Sequence, residues 1–369
     1  MVVRIFGMSV VVATVSLVVA FVYGGTTALA LTAILGVLEV TLSFDNAVIN
    51  ATILERMSAV WQKIFLTVGV LVAVVGMRLL FPLVIVWLSA GLTPVKAFDL
   101  ALNPPAGGAA YFADGSPSYE TILTRAHPLI ASFGGMFLLM LFLGFLFEEK
   151  EITWLTWIER PLARIGKLDQ LPVVVAGVLL LVTAEFITPE HERYNVMVSG
   201  VLGIITYLLV NGLGELFSPQ DHAEHAAEGH AGPTELAKAV GKAGFFLFMY
   251  LEVLDASFSF DGVIGAFAIT ADPIIIALGL GFIGAMFVRS LTVYLVRKGT
   301  LAEYVYLEHG AHWAIGALAV ILLYSIGTEV PEVVTGLVGL VLIGAALVSS
   351  IIRKRSRPDR DAEPSKTLV

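Results

Sequence analysis

Acidic side chains inside apolar stretches are the most informative feature of this sequence. Five carboxylates lie in segments whose other residues are mostly hydrophobic: Glu39, Asp45, Glu252, Asp255 and Asp261. An ionised side chain at bilayer depth costs roughly 2.5–3.5 kcal/mol on the insertion scale, so these residues indicate a function. The structural alternative is a set of buried ion pairs with Arg78 and Arg289 that fix helix packing. Because two arginines cannot neutralise five carboxylates, protonation or a bound cation must supply the remaining charge.

Helical spacing places further oxygen atoms beside these carboxylates. The first segment has two stripes of such side chains on a helix: Glu39, Ser43, Asn46 and Asn50, and Thr41 with Asp45. The second segment has two similar stripes: Glu252, Asp255 and Ser259, and Ser257 with Asp261. Oxygen ligands favour Mn²⁺, Mg²⁺ or Ca²⁺, and the chain has no cysteine to offer a softer thiolate. The predicted metal site draws on eight residues: Glu39, Ser43, Asp45, Asn46, Glu252, Asp255, Ser259 and Asp261.

Arginines and histidines have secondary predicted roles. Arg78 and Arg289 would pair with motif carboxylates and help to gate the site, or alternatively clamp an anionic substrate. His127 and His309 lie near predicted helix starts and are candidates for a proton relay, with capping as the alternative. Three further histidines could capture metal at a cytoplasmic entrance, or could simply belong to a solvated loop. They are His222, His225 and His230.

Composition predicts an all-α membrane bundle to hold these residues. Of 369 residues, 57% are hydrophobic and only 14% charged, against about 25% charged in soluble domains. The mean hydropathy is +0.89. This balance excludes soluble enzymes and nucleic-acid binders, and the lack of cysteine excludes disulfides and thiolate chemistry.

Ten apolar runs are candidate spanning helices. They cover approximately 6–23, 28–54, 64–90, 128–147, 171–188, 196–216, 239–267, 273–296, 311–327 and 332–352. The first run is longer than the core of a signal peptide, which favours a span. If both termini are cytoplasmic, 17 of the 22 lysines and arginines fall inside. The positive-inside rule therefore predicts a multi-pass protein of the inner (plasma) membrane with both termini inside.

An internal repeat organises these runs into two halves. The segments 39–45 and 255–261 match in type at all four polar positions, and three further matches follow in the same order. Five helices in each half would give repeats of inverted topology, with both acidic motifs near the midplane. The predicted halves are 1–190, with a cytoplasmic connector at 148–170, and 191–352, with a histidine-containing loop at 218–235. An outside loop is expected at 91–120, and a basic cytoplasmic tail at 353–369.

The two motifs resemble those of TerC-type integral membrane proteins, and most closely a branch known as a domain of unknown function. The resemblance rests on residues 38–48 and 251–263. It implies export of divalent metals, chiefly manganese, or a part in tellurium resistance. It also implies that five of the residues above are metal-site positions: Glu39, Asp45, Asn46, Asp255 and Asp261. The chain departs from the simpler pattern at Gly262, which replaces the asparagine of the first motif, and in the additional Glu252.

The leading functional hypothesis is a secondary transporter that exports Mn²⁺ or a similar hard divalent cation in exchange for protons. One alternative is a structural or metal-sensing component of a stress-response complex, with an architectural ion. Another is an intramembrane aspartyl protease, in which two aspartates share a proton. The chain has no phosphate-binding loop, so any pump must draw on an ion gradient. No enzymatic activity, organic cofactor or nucleic-acid partner is expected. The expected partners are membrane lipid, the cation and, in a homo-oligomer, further copies of the chain.

Overall fold

The computed structural model describes most of the chain. The described residues are 2–69, 71–72, 75–76, 80–89, 91–105, 109–150, 152–166, 168, 170–216, 241–267, 269–270, 272–298, 304–328 and 330–356. Within them, the only β-type pairing is an isolated bridge between Tyr111 and Pro117. The all-helical prediction is therefore confirmed for the described residues.

Fourteen α-helices follow one another along the described residues. They are α1 (Val2–Leu42), α2 (Phe44–Glu55), α3 (Ala59–Ile64), α4 (Phe81–Ser89), α5 (Pro94–Leu102), α6 (Tyr119–Phe147), α7 (Thr156–Ile165), α8 (Leu171–Val182), α9 (Arg193–Leu216), α10 (Gly241–Phe267), α11 (Pro273–Ile276), α12 (Ala285–Lys298), α13 (Leu307–Ser325) and α14 (Glu332–Ser356). Three π-helical segments continue α3, α8 and α11: Phe65–Gly69, Thr183–Ile187 and Ala277–Gly284. A short 3₁₀ turn, Glu190–Glu192, precedes α9.

Six helical stretches of the described residues are long and apolar enough to cross a membrane. They are Ile5–Val40, Tyr119–Phe147, Glu190–Gly212, Pro273–Val296, Leu307–Ser325 and Val334–Arg355. The protein is thus a membrane protein. Three predicted runs, 64–90, 171–188 and 239–267, contain helices that are not among these six. Ten spans therefore remain a prediction.

The first stretch is divided by two glycines. Gly24 and Gly25 have non-helical dihedral angles within α1, and Gly25 has φ of +67° and ψ of −152°. Only glycine adopts this combination without a large steric cost. The break falls between the predicted runs 6–23 and 28–54, so α1 consists of two helical pieces.

Both long connections contain helices that turn chemistry did not predict. The connection at 91–120 was predicted as a loop, but it includes α5, which begins at Pro94 after Thr93. The Thr93 hydroxyl accepts a hydrogen bond from the Lys96 amide, and proline is well suited to the first helical position. The connector at 148–170 contains α7. The turn residues in these two segments therefore mark the ends of short helices, and the segments are not loops throughout.

The core is built around α6. Its large side chains, among them Phe137, Leu138 and Met140, are buried in one cluster with residues of α9 and α13. α6 and α13 run antiparallel, because Gly135 faces Leu323 near one end and Gly316 faces Phe142 further along. A second cluster joins the latter part of α1 to the π-helix Ala277–Gly284.

Candidate functional site

The first acidic motif spans the junction between α1 and α2. Ser43 lies between the two helices, and its hydroxyl donates a hydrogen bond to Glu39 Oε1 at 2.8 Å. The backbone remains bonded across the junction, from Ser43 N to Glu39 O and from Ala47 N to Ser43 O. Asn46 and Asn50 follow on α2, and Glu39 is buried with them. Three of the four residues in the predicted stripe are therefore almost completely removed from solvent.

The second motif meets the first across the bundle. Asn46 Nδ2 donates a hydrogen bond to Asp255 Oδ1 at 2.7 Å, although the two residues are 209 positions apart in sequence. Asp255 lies on α10 and is buried. Leu54 of α2 packs with Leu251 of α10 in the same small core cluster. The residue numbers thus rise along α2 as they fall along α10, so these helices are antiparallel and their polar stripes face one another.

Glu252 lies one helical turn from Asp255 on the same face of α10. It is 6% exposed, and neither carboxylate oxygen has a hydrogen-bond partner among the described residues. Asn50 Oδ1 on the facing helix is also buried without a hydrogen-bond partner in this part of the chain. All three atoms are acceptors. Buried acceptors without donors are costly, so this layer of the bundle favours a proton or a cation.

Glycines of two π-helical segments make room for the glutamates. A Cβ on Gly284 would lie 2.1 Å from Cγ of Glu39, and a Cβ on Gly69 would lie 2.8 Å from Oε1 of Glu252. Each glycine lies in a π-helical segment, Ala277–Gly284 or Phe65–Gly69. π-helical turns are rare and frequently occur at functional sites. The glycines and π-helices were not part of the sequence prediction.

Several predicted site residues have side chains outside the described part. They are Asp45, Arg78, His222, His225, His230, Ser259 and Asp261. Arg289 lies half-buried on α12, which packs against α1 and α2. Among the described residues, no three or more His, Asp or Glu side chains form a group that could hold a metal ion. The predicted ligand roles thus remain predictions.

The two candidate relay histidines lie at opposite ends of α13. His127 Nε2 lies 3.5 Å from the hydroxyl of Ser325, at the end of α13. His309 lies near the start of α13, where its Nδ1 is 3.1 Å from Oε2 of Glu159. The two histidines therefore have different partners, one at each end of α13.

Glu159 is a buried carboxylate that the sequence analysis did not identify. It lies on α7, is 2% exposed and accepts hydrogen bonds from Trp313 Nε1 and from the backbone amides of Trp154 and Leu155. Burial raises the pKa of this carboxyl, but hydrogen bonds from His309 and Trp313 outweigh burial and lower its pKa to about 2. The ionised carboxylate therefore stabilises the fold at pH values above the ordinary pKa of a glutamate. This contribution is lost as the pH falls towards 2. The contact ties the connector to α13.

Replacing Glu159 with alanine is expected to lower the free energy of unfolding by about 3 kcal/mol, because the buried His309 and the half-buried Trp313 lose their acceptor. The measurement is chemical denaturation of the purified protein in detergent. Glu190→Ala is the matched control, since Glu190 is exposed. Equal stability of the two variants would contradict a structural role for this contact.

Comparison with protein families gives one match that covers most of the chain. Residues 44–357 match DUF475, which is described as a protein of unknown function. No curated protein matches the chain. No solved structure matches it either. Because the matched region includes α2, α10 and every helix between and after them up to α14, the chain belongs to the DUF475 family of proteins of unknown function.

Proposed function

We propose that this protein is a secondary transporter that exports Mn²⁺ or a similar hard divalent cation through a site between the two acidic motifs. The observation that carries the proposal is the Asn46–Asp255 hydrogen bond. It joins two oxygen-rich motifs from distant parts of the chain inside an apolar bundle. Helices that only needed to pack in lipid would not need buried carboxylates at this position.

The unpartnered acceptors of the neighbouring layer support a cation as the substrate. Glu252 and Asn50 contribute three acceptor atoms without hydrogen-bond partners among the described residues. Carboxylates that bind either metal or protons give exchange directly, because metal binding releases protons and protonation removes ligand charge. Proton-coupled export follows from this chemistry. TerC-type membership, which the two motifs suggest, is part of the same proposal.

The contacts between α6 and α13 support the inverted repeat. His127 of α6 contacts the end of α13, and His309 of α13 packs its ring against Phe145 near the end of α6. A two-fold axis in the membrane plane would generate such reciprocal contacts between equivalent helices. We therefore propose ten spans in two inverted repeats, with transport by movement of one repeat against the other.

The distribution of basic residues supports the proposed orientation. Arg56 pairs with Glu308 at 3.7 Å and Arg353 bonds Tyr306 at 3.1 Å, so both lie where α13 begins. Arg125 lies on the first part of α6 and Arg193 at the start of α9, at the opposite end. Under the positive-inside rule, the end of the bundle that holds Arg56 and Arg353 faces the cytoplasm. The membrane in this proposal is the inner (plasma) membrane of the cell.

Transport can be tested with the purified protein in liposomes. We expect an outward-directed Mn²⁺ gradient to drive efflux that an opposing proton gradient accelerates, while protein-free liposomes retain the ion. Asp45→Asn and Asp261→Asn should each abolish the efflux. Undiminished efflux in both variants would exclude the proposed site. Tight binding of Mn²⁺ without flux would instead favour the metal-sensing role.

A further inference from the structure

The connector helix α7 presents three different faces. Its inner face is fixed by Glu159, which contacts α13. Its outer face carries an apolar stripe at helical spacing, continued just beyond the end of the helix: Trp157, Pro161, Ile165 and Leu168. Trp157 is 76% exposed and Leu168 is 62% exposed. An apolar stripe that points away from the bundle needs another apolar environment to cover it.

A charged groove lies along the remaining face of α7. It has a volume of about 370 Å³ and extends to the segment that follows α6. Three acidic and three basic residues line it: Glu148, Glu149, Glu159, Lys150, Arg160 and Arg164. The formal charges of these side chains cancel. The groove is therefore suited to a ligand that carries both signs of charge.

The apolar stripe and the groove together match the boundary between lipid tails and headgroups. Tryptophan is enriched at this boundary, and amphipathic helices with arginines lie along it. Guanidinium groups bind phosphate oxygens through paired hydrogen bonds. Carboxylates can accept hydrogen bonds from a primary ammonium group. A quaternary ammonium group has no N–H and cannot donate such bonds.

We propose that α7 lies in the headgroup layer and that its groove binds the headgroup of a zwitterionic phospholipid with a primary amine, such as phosphatidylethanolamine. Arg160 and Arg164 bind the phosphate, and Glu148 and Glu149 bind the ammonium group. An anionic lipid would satisfy the arginines but brings no ammonium group to Glu148 and Glu149. This site is separate from the acidic motifs, so it is independent of the proposed transport function.

Headgroup selectivity of the full chain tests this site. Native mass spectrometry of the detergent-purified protein would measure binding of phosphatidylethanolamine, phosphatidylglycerol and phosphatidylcholine with the same acyl chains. We expect phosphatidylethanolamine to bind best. The double variant Arg160→Gln/Arg164→Gln should weaken its binding about tenfold, since charge-assisted hydrogen bonds to the phosphate are lost.

Two further variants make the test specific. Arg355→Gln is the matched control, because Arg355 is an exposed arginine in the last turn of α14, at the same end of the bundle, but outside the groove. It should bind all three lipids as the native protein does. Glu148→Gln/Glu149→Gln should shift the preference towards phosphatidylglycerol. Equal binding of the three lipids by the native protein, or a native preference for phosphatidylglycerol, would overturn the proposal.

Discussion

Replacing Asp255 with asparagine is expected to reduce Mn²⁺ flux by at least about 100-fold, a loss on the scale of removing a ligand-supporting group. Asn46 Nδ2 donates to Asp255 Oδ1 in the native protein, and an asparagine side chain still offers an amide oxygen there. The substitution therefore keeps the shape and the acceptor but removes the negative charge. A large loss of flux would therefore show that transport requires the negative charge of Asp255.

Flux and binding should be measured on the same Asp255→Asn preparation. Mn²⁺ efflux from liposomes gives the transport rate, and calorimetric titration in detergent gives the affinity. Glu185→Gln is the matched control, because Glu185 is a carboxylate that pairs with Arg193 at 3.1 Å near the protein surface. It should transport normally. Normal flux through Asp255→Asn in a folded preparation would show that this carboxylate does not bind the ion.

Replacing Gly284 with alanine is expected to disturb the first motif without changing any polar group. The new Cβ would lie 2.1 Å from Cγ and 2.7 Å from Cβ of Glu39, so the helices must separate or the glutamate must move. Overpacking of this kind costs about 1–3 kcal/mol. We expect lower thermal stability and a loss of most Mn²⁺ flux, because Glu39 and its bond from Ser43 are displaced.

Gly177→Ala is the matched control for this experiment. Gly177 lies in α8, and a Cβ there has no atom within 4 Å. This variant should keep both stability and flux, since alanine also has the higher helix propensity. If Gly284→Ala transported at the native rate, the position of Glu39 against the π-helix would be irrelevant to function.

The sequence predicted the helical class because apolar periodicity and lipid-scale run lengths are strong signals. It also predicted that the two acidic motifs would face one another, and the structure brings Asn46 and Asp255 into contact. The division of α1 was visible as a gap between two runs, because Gly24 and Gly25 interrupt the pattern. Metal ligation, ten spans and the inverted repeat are not settled by the fold and remain predictions.

Other features could not be predicted from residue types alone. A π-helix has no composition of its own, so the segment Ala277–Gly284 was predicted only as part of an apolar span. Glu159 lies in a charged connector, where an acidic residue normally faces water. Its burial depends on a contact with His309, which is 150 residues away in sequence. Such long-range partners follow from packing rather than from local pattern.

The contact between Glu159 and α13 has a mechanical consequence. The connector belongs to the first predicted half, and through Glu159 it holds a helix of the second predicted half. This contact ties the two predicted halves together at the end of the bundle where α13 begins. The covalent junction of the halves, at residues 190 and 191, lies at the opposite end, where α9 begins. If one half rocks against the other, α7 must either move together with α13 or break the Glu159 contact.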